Sequence, residues 1–179
     1  MRERTLVIVK PDAYERGLTG VILARLEQRG LAAEAMRVSR NETGIIEDHY
    51  PRSDEWLRAV GDKTLADYAK LGISAKDRIG TDDPAEIGRT VRAWLTDFML
   101  SGPVVPMVIS GNRAIETVRK VVGHTLPVAA APGTIRGDFS SDSPDIANEE
   151  QRPVKNLVHA SGDAEEAVRE IKLWFPDLG

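Results

Sequence analysis

The sequence predicts an α/β sandwich of split βαββαβ order, a four-stranded antiparallel sheet with helices covering one face. Three observations carry that expectation. Four short strand-like runs, at 5–9, 31–39, 104–109 and 156–159, alternate with stretches of helical spacing. No segment repeats at a fixed period, which removes solenoids and propellers. The 179 residues suit one domain or two small ones, and a domain near this size buries roughly 70% of the surface its unfolded chain exposes.

The elements follow in order. Residues 5–9 form a β-branched run that Lys10, Pro11 and Asp12 stop, as expected of a buried strand ending in a turn. Leu18, Val21, Ile22 and Leu26 recur at helical spacing before Gly30. Residues 31–39 make a second strand. Ile45, Ile46 and His49 fit a short helix beginning after Asn41 or Thr43. Residues 51–83 carry Gly61, Gly72, Gly80 and many charges, and are expected to form an excursion with short helical pieces. Asp83-Pro84-Ala85-Glu86 is a helix start: a capping aspartate, a proline at the first position, and a glutamate to reach back. Ile87, Val91, Trp94, Leu95 and Phe98 share one face of that helix, and Ser101-Gly102-Pro103 ends it. A strand at 104–109 precedes a helix capped by Asn112, with Ile115, Val118 and Val122 inward. Residues 125–139 are irregular, and the polar stretch 140–153 is expected to be an exposed loop. The last strand, 156–159, leads to a helix opened by Ser161-Gly162-Asp163, with Ala164, Ala167, Val168, Ile171 and Trp174 buried.

Composition narrows the chemistry. With 41% hydrophobic and 29% charged residues the chain has the balance of a soluble globular protein. The absence of cysteine removes disulfides, thiolate zinc sites and cysteine nucleophiles. A net charge of −4 and 5% aromatic content weigh against a nucleic-acid groove or an RNA-stacking sheet, so no nucleic-acid partner is expected. The apolar residues 6–9 are broken by Lys10 and Pro11, and no run approaches the ~20 apolar residues of a membrane span. The expectation is a cytoplasmic protein with no membrane partner.

Several polar residues sit where chemistry can occur, and each also has an ordinary explanation. His159 lies where a strand ends and a helix is about to begin; a neutral imidazole there can attack phosphorus, though a half-buried structural histidine is the commoner outcome of such placement. Glu170, eleven residues on, can hold one ring nitrogen so that the other is free, or can be a helix-surface glutamate. Lys10 stands at a strand end, a natural mouth of an α/β site and equally a solvated edge. Arg119 and Arg136 offer planar forks for phosphate oxygens, and Thr125 a hydroxyl; a solvent helix face and a salt bridge to Asp138 are the ordinary alternatives for the two arginines. His49 and His124 are expected to be structural or solvent-exposed. No phosphate-loop lysine motif, dinucleotide glycine fingerprint or metal-spaced cluster is present.

Five segments taken together resemble the nucleoside diphosphate kinase family: residues 5–12 with Arg16-Gly17, 101–107, 132–139, 156–161 and 170–175. They occur in the family's order, and the similarity covers roughly three-quarters of the chain. The string Pro132-Gly-Thr-Ile-Arg-Gly-Asp-Phe139 with Asn156-Leu-Val-His159 is the specific part. The resemblance implies a ferredoxin-like fold and a ping-pong transfer of the γ-phosphate of ATP or another nucleoside triphosphate through a phosphohistidine on His159. Nucleoside diphosphates would be the acceptors, in support of CTP, GTP and UTP synthesis. It implies that Glu170 orients His159, that Arg119, Thr125 and Arg136 contact phosphates, and that Lys10 and Asn156 reach ribose hydroxyls and the phosphate end. Tyr50 and Ser161 match catalytic-site positions, and Leu95 a hydrophobic position of the base site. Mg2+ is implied between the nucleotide phosphates, with no dedicated protein ligand. A homo-oligomer, hexamer or tetramer built from dimers, is implied as well.

The departures from the family are local. Residues 51–83 read as an insertion, Val91 stands where the family supplies a base-stacking phenylalanine, and Trp56 and Trp94 are candidate substitutes. A second insertion spans 140–153. Ala160 replaces a glycine, and the chain stops soon after Trp174-Phe175. One domain over residues 1–179 is expected, interrupted by the two insertions. The alternative these departures raise is a nucleotide-binding regulatory protein without turnover.

Overall fold

The computed structural model describes residues 2–40 and 42–178. Its four strands are β1 (Glu3–Val9), β2 (Ala32–Met36), β3 (Val105–Gly111) and β4 (Val158–Ala160), in the order β2-β3-β1-β4. All neighbours are antiparallel, and β1 and β3 pair over seven residues, from Glu3 opposite Gly111 to Val9 opposite Val105. The helices are α1 (Pro11–Glu15), α2 (Thr19–Glu27), α3 (Thr43–His49), α4 (Asp54–Lys70), α5 (Ala75–Ile79), α6 (Pro84–Leu100), α7 (Ala114–Val122), α8 (Ile135–Phe139), α9 (Pro144–Glu149) and α10 (Ala164–Trp174).

Helices cover both faces of the sheet, not one. Val7, Val9, Met107 and Ile109 pack with Ile22, Leu26, Val118 and Val122 from α2 and α7. Leu6, Ile8 and Val108 face the other way, onto Ile46, Met99, Ile171 and Trp174 from α3, α6 and α10. Successive strand residues point to opposite faces, so a strand buried on both sides needs an unbroken apolar run. Residues 6–9, all fully buried, are that run.

The segment 51–83 holds a seventeen-residue helix, α4, as well as the short α5. Ser53 caps α4 by accepting the Trp56 N–H. Gly61, a break in the sequence pattern, is where α4 meets α6: a Cβ on it would lie 1.9 Å from the Pro84 carbonyl oxygen. Gly88 of α6 answers it, with a Cβ that would lie 2.0 Å from the Leu57 oxygen. The two glycines let the backbones touch. Tyr68, Ala75 and Ile87 form a small core beneath this hairpin.

Other expectations need correction. Asp83 caps α6 through Glu86 N–H, but the Glu86 carboxylate turns to Thr81 Oγ1 rather than back to the cap. Asn112 does not cap α7; Arg113 occupies that position, and Glu3 Oε2 from β1 accepts the Ile115 N–H at 3.0 Å. Asn41 lies outside the described residues, and α3 starts after Glu42 with no side-chain cap. The stretch 140–153 contains α9, whose Ala147 is buried. The last strand, β4, starts two residues later than expected and ends one later, at Ala160. Val168 is 68% exposed, and the inward position it was expected to share belongs to Glu170, 1% exposed.

Candidate active site

Strand β1 ends at Val9, with Lys10 next in the chain, and β4 runs beside it with His159 opposite Ile8. Just before β4 the chain turns through Leu157 in the left-handed region, φ 69°. That turn is tied to β1's end on both sides: Leu157 N–H donates to Asp12 Oδ2 at 3.1 Å, and Leu157 C=O accepts the Lys10 N–H at 2.9 Å. Strain of about 1–3 kcal/mol at such a residue persists only where its surroundings hold it.

The turn aims two carbonyls at Arg136. Arg136 Nε donates to Asn156 C=O at 3.0 Å, one terminal nitrogen to Val158 C=O at 2.6 Å, and the other to Gly123 C=O at 3.0 Å. Asp138, the ordinary partner in the sequence, instead accepts from Arg25 and from Gly133 N–H. Burial lowers the Arg136 guanidinium to about 10, with Arg119 adding to the shift. It stays charged over the neutral range.

Lys10, 5% exposed, donates from Nζ to Asn156 Oδ1 at 2.7 Å, and Asn156 Nδ2 donates to Thr125 C=O at 2.9 Å. Burial and the nearby Arg136 lower the Lys10 ammonium to about 8, against the pull of Asp12. It is no solvated strand-end lysine.

His159 is gripped from behind. Its Nε2 lies 2.9 Å from Glu170 Oε2, and Ser161 Oγ donates to the same oxygen at 2.8 Å. Ser161 is fixed in turn by the Leu6 N–H at 3.2 Å. Burial lowers the His159 imidazole to about 3, with Lys10 the next cause, so the ring is neutral. Burial also raises the Glu170 carboxyl above its ordinary value. An ionised Glu170 accepts, which places the imidazole proton on Nε2 and leaves a lone pair on Nδ1. Among the described residues Nδ1 has no protein partner and is not sealed in the interior.

His49 is structural and buried, 2% exposed, with its ring edge-on to His159 at 4.4 Å between centroids. Its Nδ1 accepts the Trp174 indole N–H at 3.3 Å. Burial holds its pKa near 3, so its 3.6 Å contact with Glu170 is not an ion pair. Ligand atoms of His49, His159 and Glu170 lie within 4.8 Å of one another, close enough to hold a metal ion. His159 Nε2 and Glu170 Oε2 are already joined by a hydrogen bond and His49 Nδ1 accepts from Trp174, while His49 Nε2 has no hydrogen-bond partner among the described residues. His124 is exposed, its Nδ1 accepting the Leu126 N–H.

The front of His159 opens on a cleft of about 580 Å³. Lys10, Tyr50, Leu95, Arg119, Thr125, Arg136, Asn156 and His159 all line it, while Ser161 and Glu170 stand behind the ring. Arg119 is exposed at the end of α7. Tyr50 is buried beside His49, and burial pushes its phenol above the ordinary value. An apolar slot of about 240 Å³ continues from the cleft past Lys10, Thr125 and Asn156. Val91, Trp94 and Leu95 of α6 line it with Tyr68 of α4, and Pro144, Ala147, Pro153 and Val154. Trp94 is thus in the slot, whereas Trp56 packs near Tyr50, 6.3 Å between centroids.

Beside Ala66, three charged residues of the cleft come from 51–83: Lys63, Asp67 and Lys70. Their spacing, i, i+4 and i+7, is that of one helix face, a signal that recognising α4 would have exposed. Among the described lining residues the carboxylates are Asp67, paired with Lys70 at 3.3 Å, and Glu166, which accepts the Gly162 N–H. Cations predominate, a field suited to a polyanion.

Comparison with known proteins gives a consistent picture. The family model described as nucleoside diphosphate kinase matches residues 3–57 and 86–178, and the gap between the two segments holds most of α4 and all of α5. A nucleoside diphosphate kinase of Pyrobaculum aerophilum is 54% identical over 173 residues, 97% of this chain and 94% of that one. A nucleoside diphosphate kinase of Saccharopolyspora erythraea is 38% identical over 179 residues, 99% of this chain and all of that one. Among solved structures, an NDP kinase from Pyrobaculum aerophilum superposes with a TM-score of 0.91 at 52% identity, covering 98% of this chain and 96% of that one. A nucleoside-diphosphate kinase from Borrelia burgdorferi, a transition-state mimic with bound vanadate and ADP, gives 0.77 at 33% identity, covering 99% and 89%.

Proposed function

The chain belongs to the nucleoside diphosphate kinase family and is a phosphotransferase of that kind, and from this premise we propose that His159 Nδ1 is its nucleophile. The observation that carries the assignment is the His159–Glu170 pair at 2.9 Å, with the opposite ring nitrogen unpartnered at a cationic cleft. The Nδ1 lone pair attacks the γ-phosphorus of a nucleoside triphosphate. A nitrogen–phosphorus bond forms, the bond from phosphorus to the β,γ-bridging oxygen breaks, and the nucleoside diphosphate leaves with that electron pair. In the second half-reaction a terminal oxygen of another diphosphate attacks the phosphohistidine and Nδ1 regains its lone pair. Throughout, the Nε2 proton stays on the Glu170 side, where the carboxylate offsets the positive charge the ring acquires.

Positioning and charge compensation are what phosphoryl transfer demands. Arg136, buried and locked by three carbonyls, is a fixed cation. Arg119 is the exposed fork, Thr125 a hydroxyl at the cleft wall, and Lys10 and Asn156 a coupled pair for the ribose and phosphate end. Tyr50 closes the cleft beside His159. The base lies in the slot against Leu95, with Trp94 the aromatic surface. Mg2+ fits as an ion carried by nucleotide phosphates and water, because the lining carboxylates are already paired; when bound it neutralises phosphate charge.

The insertions frame the cleft rather than fill it, which removes the ground for a binder without turnover. We assign residues 1–179 to one domain with both insertions inside it. Strand β2 is an edge strand, and Met36 at its end and Val38 just beyond it are 51% and 55% exposed, which supports a homo-oligomer. Sedimentation showing only monomers at micromolar concentration overturns that assembly. No helix among the described residues is long and apolar enough to cross a membrane, in keeping with action on cytoplasmic nucleotides. The test of the chemistry is incubation with γ-labelled triphosphate: the wild type gives an acid-labile, base-stable phosphoenzyme, and His159→Ala gives none. Normal transfer by that variant refutes the mechanism.

A further inference from the structure

We propose that Lys63 of α4 is a phosphate-binding residue that the segment 51–83 adds to the site, an inference resting on the polyphosphate-transfer reading above. Lys63 lines both the His159 cleft and the apolar slot, so it stands where the two meet. Its Nζ donates to Thr125 Oγ1 at 3.4 Å, long for a hydrogen bond and easily exchanged for an anion.

Of the other four cations of the cleft, Arg119 is exposed at the end of α7, and the remaining three are more committed. Lys10 already donates to Asn156, and its ammonium is lowered to about 8. Arg136 has three donors fixed on backbone carbonyls. Lys70 is paired with Asp67. Lys63, by contrast, forms no ion pair among the described residues and is exposed at the cleft mouth. A charged donor with one weak neutral partner gains most when an oxyanion arrives.

The placement is structural, not incidental. The Gly61–Pro84 and Gly88–Leu57 backbone contacts pin α4 against α6 on either side of the slot. With α4 so fixed, Lys63 falls two residues past the crossing and faces Thr125, on a different segment.

The experiment compares wild type, Lys63→Ala and Lys63→Arg for binding of ADP and of inorganic tripolyphosphate, the latter as competitor of ADP. Loss of a charge-assisted phosphate contact corresponds to about a tenfold or greater weakening. Lys63→Ala is expected to weaken ADP and tripolyphosphate each about tenfold and to raise KM more than it lowers kcat, with an unchanged melting temperature. Lys63→Arg is expected to recover most of the affinity. Because tripolyphosphate carries no base, a residue that only shapes the slot would leave its inhibition constant alone. Unchanged tripolyphosphate affinity in Lys63→Ala therefore overturns the proposal, whatever happens to ADP. Wild type that binds ADP in a Lys63-dependent way yet forms no phosphoenzyme would refute the transfer reading and leave Lys63 as a phosphate ligand. Wild type that binds neither probe overturns both.

Discussion

Glu170 Oε2 is shared: His159 Nε2 lies 2.9 Å from it and Ser161 Oγ 2.8 Å, so one carboxylate oxygen sets both the tautomer and the tilt of the imidazole. Glu170 is 1% exposed and burial raises its carboxyl. A buried carboxylate is tolerated where hydrogen bonds satisfy it, and here those bonds bear on the reacting ring.

Replacing Glu170 with Gln keeps the shape but removes the charge that offsets the developing positive ring. Phosphoenzyme formation in a single turnover should slow by about 10²-fold. Ser161→Ala removes one of the two hydrogen bonds on Glu170 Oε2, worth about 1 kcal/mol, and should slow the step only several-fold. A Glu170→Gln variant within twofold of wild type would show that the carboxylate charge is idle.

The pH profile follows from the same pair. His159 is lowered to about 3, while Glu170 is raised above its ordinary 4.5. As pH falls, Glu170 therefore takes a proton first. A protonated carboxyl donates to Nε2, drives the ring proton to Nδ1 and removes the nucleophilic lone pair. The acid limb of kcat/KM is expected above 4.5 in wild type and at lower pH in Glu170→Gln. An acid limb that does not move in the variant would assign it to another group.

On the alkaline side the group is Lys10, lowered to about 8. Below that value it is an ammonium that attracts phosphate; above it the cation is lost. KM for nucleotide should rise as pH passes about 8, with kcat less affected, because bound phosphate itself holds the proton on Lys10. Titration of nucleotide affinity in Lys10→Arg, which keeps its charge, should flatten this rise. A rise that persists in the arginine variant assigns it elsewhere.

Sheet and site were not equally legible in the sequence. Residues 6–9 announced a strand by β-branching, yet their lack of alternation is also what marks burial on both faces, and the expectation of one covered face overlooked it. Residue types at 159, 170 and 136 suggested phosphate chemistry, but the carbonyls that hold Arg136 arise from a left-handed Leu157, which no side-chain pattern encodes. Val168 fitted the apolar stripe of α10 better than Glu170 did; the stripe is polar at one position because a strand histidine needs a partner there. Helix α4 was hidden because Gly61 looks like a breaker when its contact with Pro84 is unknown.

That contact yields a last prediction. A Cβ at Gly61 would stand 1.9 Å from the Pro84 oxygen and 2.5 Å from its carbon, both backbone atoms that cannot rotate away. Gly61→Ala must therefore push α4 off α6. Overpacking of this kind costs about 1–3 kcal/mol, and it should lower the melting temperature. It should also raise KM, because Val60, Lys63 and Thr64 recede from the slot with the helix. Gly44→Ala is the control: nothing lies within 4 Å of its Cβ, and an alanine inside α3 should be neutral or stabilising by about 0.5–1 kcal/mol. If α4 were held only by its apolar residues, small shifts would absorb the extra methyl and Gly61→Ala would melt with wild type. An unchanged melting temperature alongside an unchanged KM would mean that the glycine contact does not fix the wall of the slot.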